Sequence, residues 1–322
     1  MRGFSLRDRC IGRLPAMARI ARRVPALANL RNRIPLLRRL GERWLGISAR
    51  RSLPAWRRDT FDRMAPTLGL ASRDEVLAAA KAVVLFVDTF NGHFESENAV
   101  AAVRVLKAAG YAVHAARGPG GGELCCGRTL LAAGMADEAK ARAGELLTAL
   151  LPFAERGLAI VGLEPSCLLT LRDEMQVMGL GDAAAKVGAQ ALLFEEFVVR
   201  EAGAGRFAPR LSPLTRPILV HPHCHQKAFG TAPKVLEALR LIPGAAPKLI
   251  ESSCCGMAGS FGYEAEHHDI SLAMAELSLL PAVRQAPEAL LVADGTSCRH
   301  QIADGAGREA LHLARVLLDQ LA

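Results

Sequence analysis

No apolar run in the 322 residues approaches the roughly 18 residues that a membrane-crossing helix needs. The longest are short pieces such as Ala82–Val87 and Pro217–Val220. A transmembrane helix is therefore not expected. An apolar leader followed by a small-residue cleavage site is also lacking, so secretion is not expected. Cysteine is sparse for a disulfide scaffold: there are eight in all, and two pairs, Cys125–Cys126 and Cys254–Cys255, are adjacent. Vicinal cysteines rarely bridge each other. The thiols are expected to be reduced, in a cytoplasmic protein, which turns the question to metal binding or catalysis.

Acidic residues are nearly missing from one end. Residues 1–58 hold sixteen Arg and no Lys against Asp8 and Glu42. That segment carries +14, so the remainder carries −6 of the overall +8. A nucleic-acid-binding core would spread positive charge over its folded surface, so nucleic acid is not an expected partner. Short helical pieces punctuated by Pro15, Pro25, Pro35 and Pro54 are expected here, with Arg and apolar residues interleaved around Ile20–Leu40. Three readings stay open: a solvated arm or docking linker, an amphipathic segment lying on an anionic membrane, and an Arg-rich transit peptide, for which serine is scarce. Cys10 has no partner in the cysteine pattern and reads as incidental.

From about residue 80 strand-length apolar runs alternate with helical patterns. Strands are expected at 82–87, 111–115 and 158–163, with helices at Ser96–Ala109 (Ser96 as N-cap) and Asp137–Leu151. The order then recurs, with strands at 217–220, 248–251 and 289–293 and helices at 232–241, 264–279 and 308–321. The fold class is thus α/β: two tandem α/β units with mostly parallel sheets, related by an internal repeat and preceded by an Arg-rich helical segment. The expected divisions are 1–79, 80–210 and 211–322.

The cysteines follow the repeat. Cys126 and Cys255 lie 129 positions apart, Cys167 and Cys298 lie 131 apart, and Cys224 has its counterpart at Thr89, 135 earlier. Each set follows three successive strands, and ligands of open α/β sheets gather at the carboxyl ends of strands. Cys224, Cys254, Cys255 and Cys298 match the four-thiolate requirement of a [4Fe–4S] cluster, with tetrahedral Zn as the rival. Gly256 would let main-chain N–H groups approach the sulfurs. His223 and His225 flank Cys224 and are expected to pack beside the metal rather than bind it. If the segment is extended, His221, His223 and His225 share one face and Cys224 the other. The first unit has only Cys125, Cys126 and Cys167. That incomplete set reads as vestigial, as a Zn site completed by His93 or Glu164, or as an open-sited cluster.

The phrases Leu124-Cys-Cys-Gly127, Glu164-Pro-Ser-Cys167, His223-Cys-His-Gln-Lys227 and Cys254-Cys-Gly-Met-Ala-Gly-Ser-Phe-Gly262 resemble the cysteine-rich CCG domain family. That family includes the cysteine-rich component of heterodisulfide reductase, iron–sulfur subunits of glycolate and lactate oxidases, and the C-terminal module of FAD-linked D-lactate or D-2-hydroxyglutarate dehydrogenases. The resemblance covers residues 80–322. It implies an iron–sulfur module that passes electrons from a flavin to a quinone or other acceptor, within an oxidoreductase complex rather than as a catalyst alone. The implied partners are an FAD-binding dehydrogenase subunit, which would carry the FAD, and a ferredoxin-type domain or subunit, with contact at the inner face of a membrane. Thr89 stands where the family motif opens with Cys, and Glu164 and Gly295 stand where it often has an outer Cys. These departures weigh against disulfide reduction of the heterodisulfide reductase kind, which remains the alternative beside a non-redox zinc scaffold.

Overall fold

A computed structural model describes residues 3–322; Met1 and Arg2, the first arginine of the basic segment, lie outside the described residues. Among the described residues seven strands form two parallel sheets: β1 (Ala82–Phe86), β2 (Ala112–Ala115), β3 (Ile160–Gly162), β4 (Ala191–Leu193), β5 (Ile218–Val220), β6 (Pro247–Leu249) and β7 (Leu290–Val292). The first sheet runs β2-β1-β3-β4 and the second β6-β5-β7. In both, the strand that comes first in the chain lies between the next two. The chain is thus α/β with two tandem units, as its alternating pattern implies.

Strands β1, β3, β5 and β7 are buried on both faces, which is why they are continuously apolar, whereas edge strand β6 leaves Lys248 and Leu249 exposed. Val83 and Leu85 of β1 join one core, and Val84 and Phe86 join the other. The first of these cores is shared by the two sheets. It contains Val83 and Val161 of one sheet, Ile218 and Val220 of the other, and side chains from helices Ser96–Ala108, Phe194–Gly203, Ala232–Leu239 and Leu313–Asp319. A smaller core beneath the second sheet includes Cys255, Met257, Leu291 and Cys298.

Several local features depart from the pattern read in the sequence. The N-cap of the helix at 96–108 is Glu95; Ser96 is its first residue and donates its hydroxyl to Asp59 O at 2.6 Å. The expected helix at 264–279 is broken into a 3-10 turn at Ala265–His267 and helices His268–Glu276 and Leu279–Gln285. The last helix begins only at Leu313, capped by His312, whose ring accepts from Ala314 N at 3.0 Å. A helix at Thr296–Ala306, absent from the sequence reading, carries Cys298.

The basic segment is not merely a solvated arm. It is a series of short helices laid over both units. Arg13 pairs with Glu138, Arg22 with Glu123, and Arg7 with Glu266. Ile47 bridges to Glu264, and Ser48 N donates to Tyr263 O at 2.8 Å. Arg51 is 1% exposed and donates to Gly262 O (2.8 Å), Ser271 Oγ (3.1 Å) and Asp304 Oδ2 (3.2 Å). A buried guanidinium is tolerated only when its donors are met in this way.

Arg51→Met is therefore expected to cost about 2–4 kcal/mol in urea unfolding, because it removes the donors that meet the buried Gly262 carbonyl and Ser271 hydroxyl. Arg50→Met, which breaks only the exposed pair with Asp269, should leave the unfolding midpoint unchanged.

Candidate metal centre

Parallel strands with a central first strand put three loops side by side at one edge. In the second unit those loops carry all four candidate thiols. Cys224 opens the helix Cys224–Ala228 after β5, Cys254 and Cys255 lie in the loop after β6, and Cys298 sits in the first turn of the helix after β7. Cys255 and Cys298 are buried; Cys224 and Cys254 are half-buried at the outer edge. Lys227 Nζ donates to the carbonyls of Ser252 and Ser253, tying the first loop to the second.

The Cys-Cys-Gly turn is the same in both units. Gly256 N donates to Cys254 Sγ at 3.3 Å, and Gly127 N to Cys125 Sγ at 3.3 Å. Both glycines have left-handed φ, +87° and +81°. A Cβ on Gly256 would collide with Ser271 O, and one on Gly127 would stand 2.9 Å from Ala139 O. The turn thus needs glycine twice over, for its φ and for the close backbone approach.

The surroundings of the two sets of thiols differ in charge. In the second unit, hydrogen bonding from Cys224 holds Cys254 well below the ordinary thiol range. Cys255 does the same for Cys298, aided by the nearby His221 and His223. Cys224 and Cys255 are correspondingly pushed up. Within this set Cys254 and Cys298 are the thiols that give up their protons more readily. In the first unit, Asp88 caps the helix that starts at Thr89, at the position that His223 holds before Cys224. There Cys125 is raised, first by Cys126 and then by burial, and Cys126 is raised as well. Hydrogen bonding from Cys126 pulls Cys167 down, but burial and the carboxylates of Asp88 and Glu164 outweigh it and push Cys167 up to about 12. Burial and Glu164 likewise raise Asp88 to about 6. Thr89 stands at Cys125 with its hydroxyl, where Cys224 stands at Cys254 with its thiol.

His221 is the residue that its spacing in the sequence understates. One imidazole nitrogen of His221 and the sulfurs of Cys255 and Cys298 all lie within 4.8 Å of one another. Its Nδ1 pairs with Ser252 Oγ at 2.9 Å, and its buried Nε2 has no hydrogen-bond partner. The segment is not extended through Cys224. A helix begins there, with His223 as its N-cap accepting from His225 N at 3.2 Å. The three histidines therefore part company. His223 stacks on His225, ring centroids 5.1 Å apart, and His225 Nε2 meets Arg128 of the first unit at 3.1 Å.

The two departures from the motif have structural occupants. A Cβ on Gly295 would collide with His223 Cδ2, so the imidazole fills the space of an outer cysteine. Glu164 accepts from Ser166 Oγ at 2.9 Å and from Thr296 N of the second unit at 2.8 Å. It is thereby held in hydrogen bonds rather than free as a ligand. His93 pairs with Glu123 at 3.0 Å, leaving its buried Nδ1 without a partner. Cys125 borders a cavity of about 200 Å3 beneath the basic segment.

Buried polar contacts join the two sites. Arg299 donates to Glu95 at 2.8 and 2.5 Å, and Gln226 Nε2 donates to both Glu195 (2.6 Å) and Asp294 (3.0 Å). Burial and the neighbouring Asp294 raise Glu195 well above the carboxylate range.

Four convergent thiols, two of them buried, with a main-chain donor to sulfur and an unpaired buried imidazole, suit a thiolate-bound metal group. Fold and site define a duplicated α/β protein with a cysteine-rich centre in its second unit. The chain belongs to the CCG cysteine-rich domain family, whose pattern matches residues 88–172 and 218–303. It is 29% identical over 290 residues to the C subunit of the anaerobic glycerol-3-phosphate dehydrogenase of Escherichia coli (strain K12), covering 86% of this chain and 68% of that protein. It is 31% identical over 167 residues to the D-2-hydroxyglutarate dehydrogenase of the same organism, covering 52% of this chain and 16% of that protein.

Gly256→Ala should abolish metal retention and lower stability by more than the about 1–2 kcal/mol of left-handed strain alone. Gly259→Ala, also at positive φ but with open space around it, should incur the strain and retain the metal. Metal analysis beside urea unfolding checks both.

Proposed function

We propose that Cys224, Cys254, Cys255 and Cys298 hold a [4Fe–4S] cluster and that the chain is the iron–sulfur electron-transfer subunit or module of a flavin-linked dehydrogenase. The observation that carries this reading is the gathering of the four thiols at the carboxyl ends of β5, β6 and β7. When bound, such a cluster takes up and gives back single electrons.

The chain's own residues set the conditions for that exchange. Gly256 N–H donates to Cys254 Sγ and draws charge from it, which favours the reduced state. His221 and His223 stand beside Cys298 and favour its deprotonated form. The buried Cys255 and Cys298 keep water from the inner side. The half-buried Cys224 and Cys254 leave the outer edge as the side nearest a redox partner.

In this reading the FAD sits on a partner subunit, which also selects the substrate. The two relatives are named for the oxidation of glycerol 3-phosphate and of D-2-hydroxyglutarate. Both are secondary alcohols, and a 2-hydroxy acid of the second kind is the substrate class proposed. Electrons leave towards a quinone or another acceptor, with a ferredoxin-type domain or subunit on the route. Within the divisions 1–79, 80–210 and 211–322, the first unit carries no cluster. Its raised thiols favour a vestigial site, with zinc bound by Cys125, Cys126 and Cys167 as the alternative.

Iron, sulfide and zinc analysis of the anaerobically purified chain tests the proposal. About four iron and four sulfide per chain are expected, lost in Cys298→Ser and kept in Cys167→Ser. Zinc alone, or no metal, would make the cysteine framework structural and the redox reading wrong.

A further inference from the structure

The inward side of the basic segment is accounted for by its ion pairs with both units. Its outward side is not. Among the described residues, fifteen large hydrophobic side chains are exposed, and ten of them fall between Phe4 and Trp44. Helix Pro35–Leu45 is the plainest case. Leu36, Leu40 and Trp44 follow at intervals of four and form one stripe, 64%, 44% and 78% exposed. An apolar stripe at helical spacing ordinarily faces a core; here it faces solvent. The preceding helical pieces continue the pattern with Ile20, Val24 and Leu27 at 68%, 48% and 65% exposure.

Cations flank these side chains. Arg23, Arg33, Arg39 and Arg43 are exposed and form no ion pair among the described residues. The one acid of the 35–45 helix, Glu42, is tied back to Ala49 N at 2.6 Å. Leucine, tryptophan and arginine therefore dominate the outward face, and Glu42 is the one acid on the helix. Arg39 and Arg43, themselves four apart, run alongside the stripe of Leu36, Leu40 and Trp44. That arrangement suits a layer of anionic headgroups over acyl chains, where arginine meets phosphate and leucine and tryptophan enter the boundary.

We infer that residues 14–45 form an interfacial binding surface for anionic phospholipid bilayers, with Leu36, Leu40 and Trp44 inserted and Arg39 and Arg43 on the headgroups. The surface goes beyond the electron-transfer reading and stands without it. The segment is docked by Arg13, Arg22 and Arg51, none of which belongs to the outward set.

Co-sedimentation of the full chain with phosphatidylcholine vesicles, with and without phosphatidylglycerol, tests it. Binding is expected only with phosphatidylglycerol, and weaker at high salt. Leu40→Glu with Trp44→Glu should lower partitioning about tenfold or more, and Arg39→Ser with Arg43→Ser by about tenfold. Leu277→Glu, at an exposed leucine elsewhere, should change nothing. In a Trp56→Phe background the emission of Trp44 should shift to the blue on binding. No partitioning to phosphatidylglycerol vesicles, or partitioning indifferent to the Leu40 and Trp44 changes, would overturn the inference. So would a soluble complex with a flavoprotein that buries Trp44 while vesicles are ignored, since the face would then be a protein contact.

Discussion

Parallel pairing with the first strand in the middle is the constraint on which the rest of the molecule depends. Because β5 lies between β6 and β7, the loops that leave the three strands are neighbours at one edge of the sheet. Thiols up to 74 residues apart in the chain, Cys224 and Cys298, are thereby brought to one place. The sheet of the first unit has the same order around β1, so its three thiols gather by the same rule. Crossover helices are required between parallel strands, and the helices so produced fill the layer shared by the two sheets. The buried contacts of Glu95 with Arg299 and of Glu164 with Thr296 then hold the two edges against each other.

What separates the two sites is charge rather than shape. The Cys-Cys-Gly turns agree in φ and in the 3.3 Å N–H to sulfur contact. Around the second stand imidazoles; around the first stand Asp88 and Glu164. At low dielectric a neighbouring charge acts strongly on a thiol's proton. In the second site two thiols, Cys254 and Cys298, are lowered, whereas in the first neighbouring sulfur, burial and, at Cys167, the carboxylates raise all three. Duplication supplied one scaffold, and a few residues beside the sulfurs made its copies unequal.

Much of this was legible in the sequence. Strands buried on both faces are uninterrupted apolar runs, so β1, β3, β5 and β7 could be read directly, and the 129- and 131-residue spacings carried the repeat. Other features were illegible for physical reasons. Helix Thr296–Ala306 buries Thr296, Arg299 and Gln301, so the apolar periodicity that marks a helix is missing. Arg51 looks like any of its fifteen neighbours in the basic segment, and only Gly262 and Asp304, more than 200 positions away, distinguish it. Alternation groups His221 with His223, a rule that ends where the helix begins at Cys224. The outward stripe of the 35–45 helix was visible as interleaved Leu and Arg. Which side it faced depended on the ion pairs that dock the segment.

The proposed redox centre lies in the second unit. Electron paramagnetic resonance of the dithionite-reduced, anaerobically purified full chain, with spins counted against protein, tests it most directly. A single reduced [4Fe–4S] centre gives about one spin per chain. No signal would remove the electron-transfer role, and about two spins per chain would show that both units are loaded and that the charge difference between them does not decide occupancy.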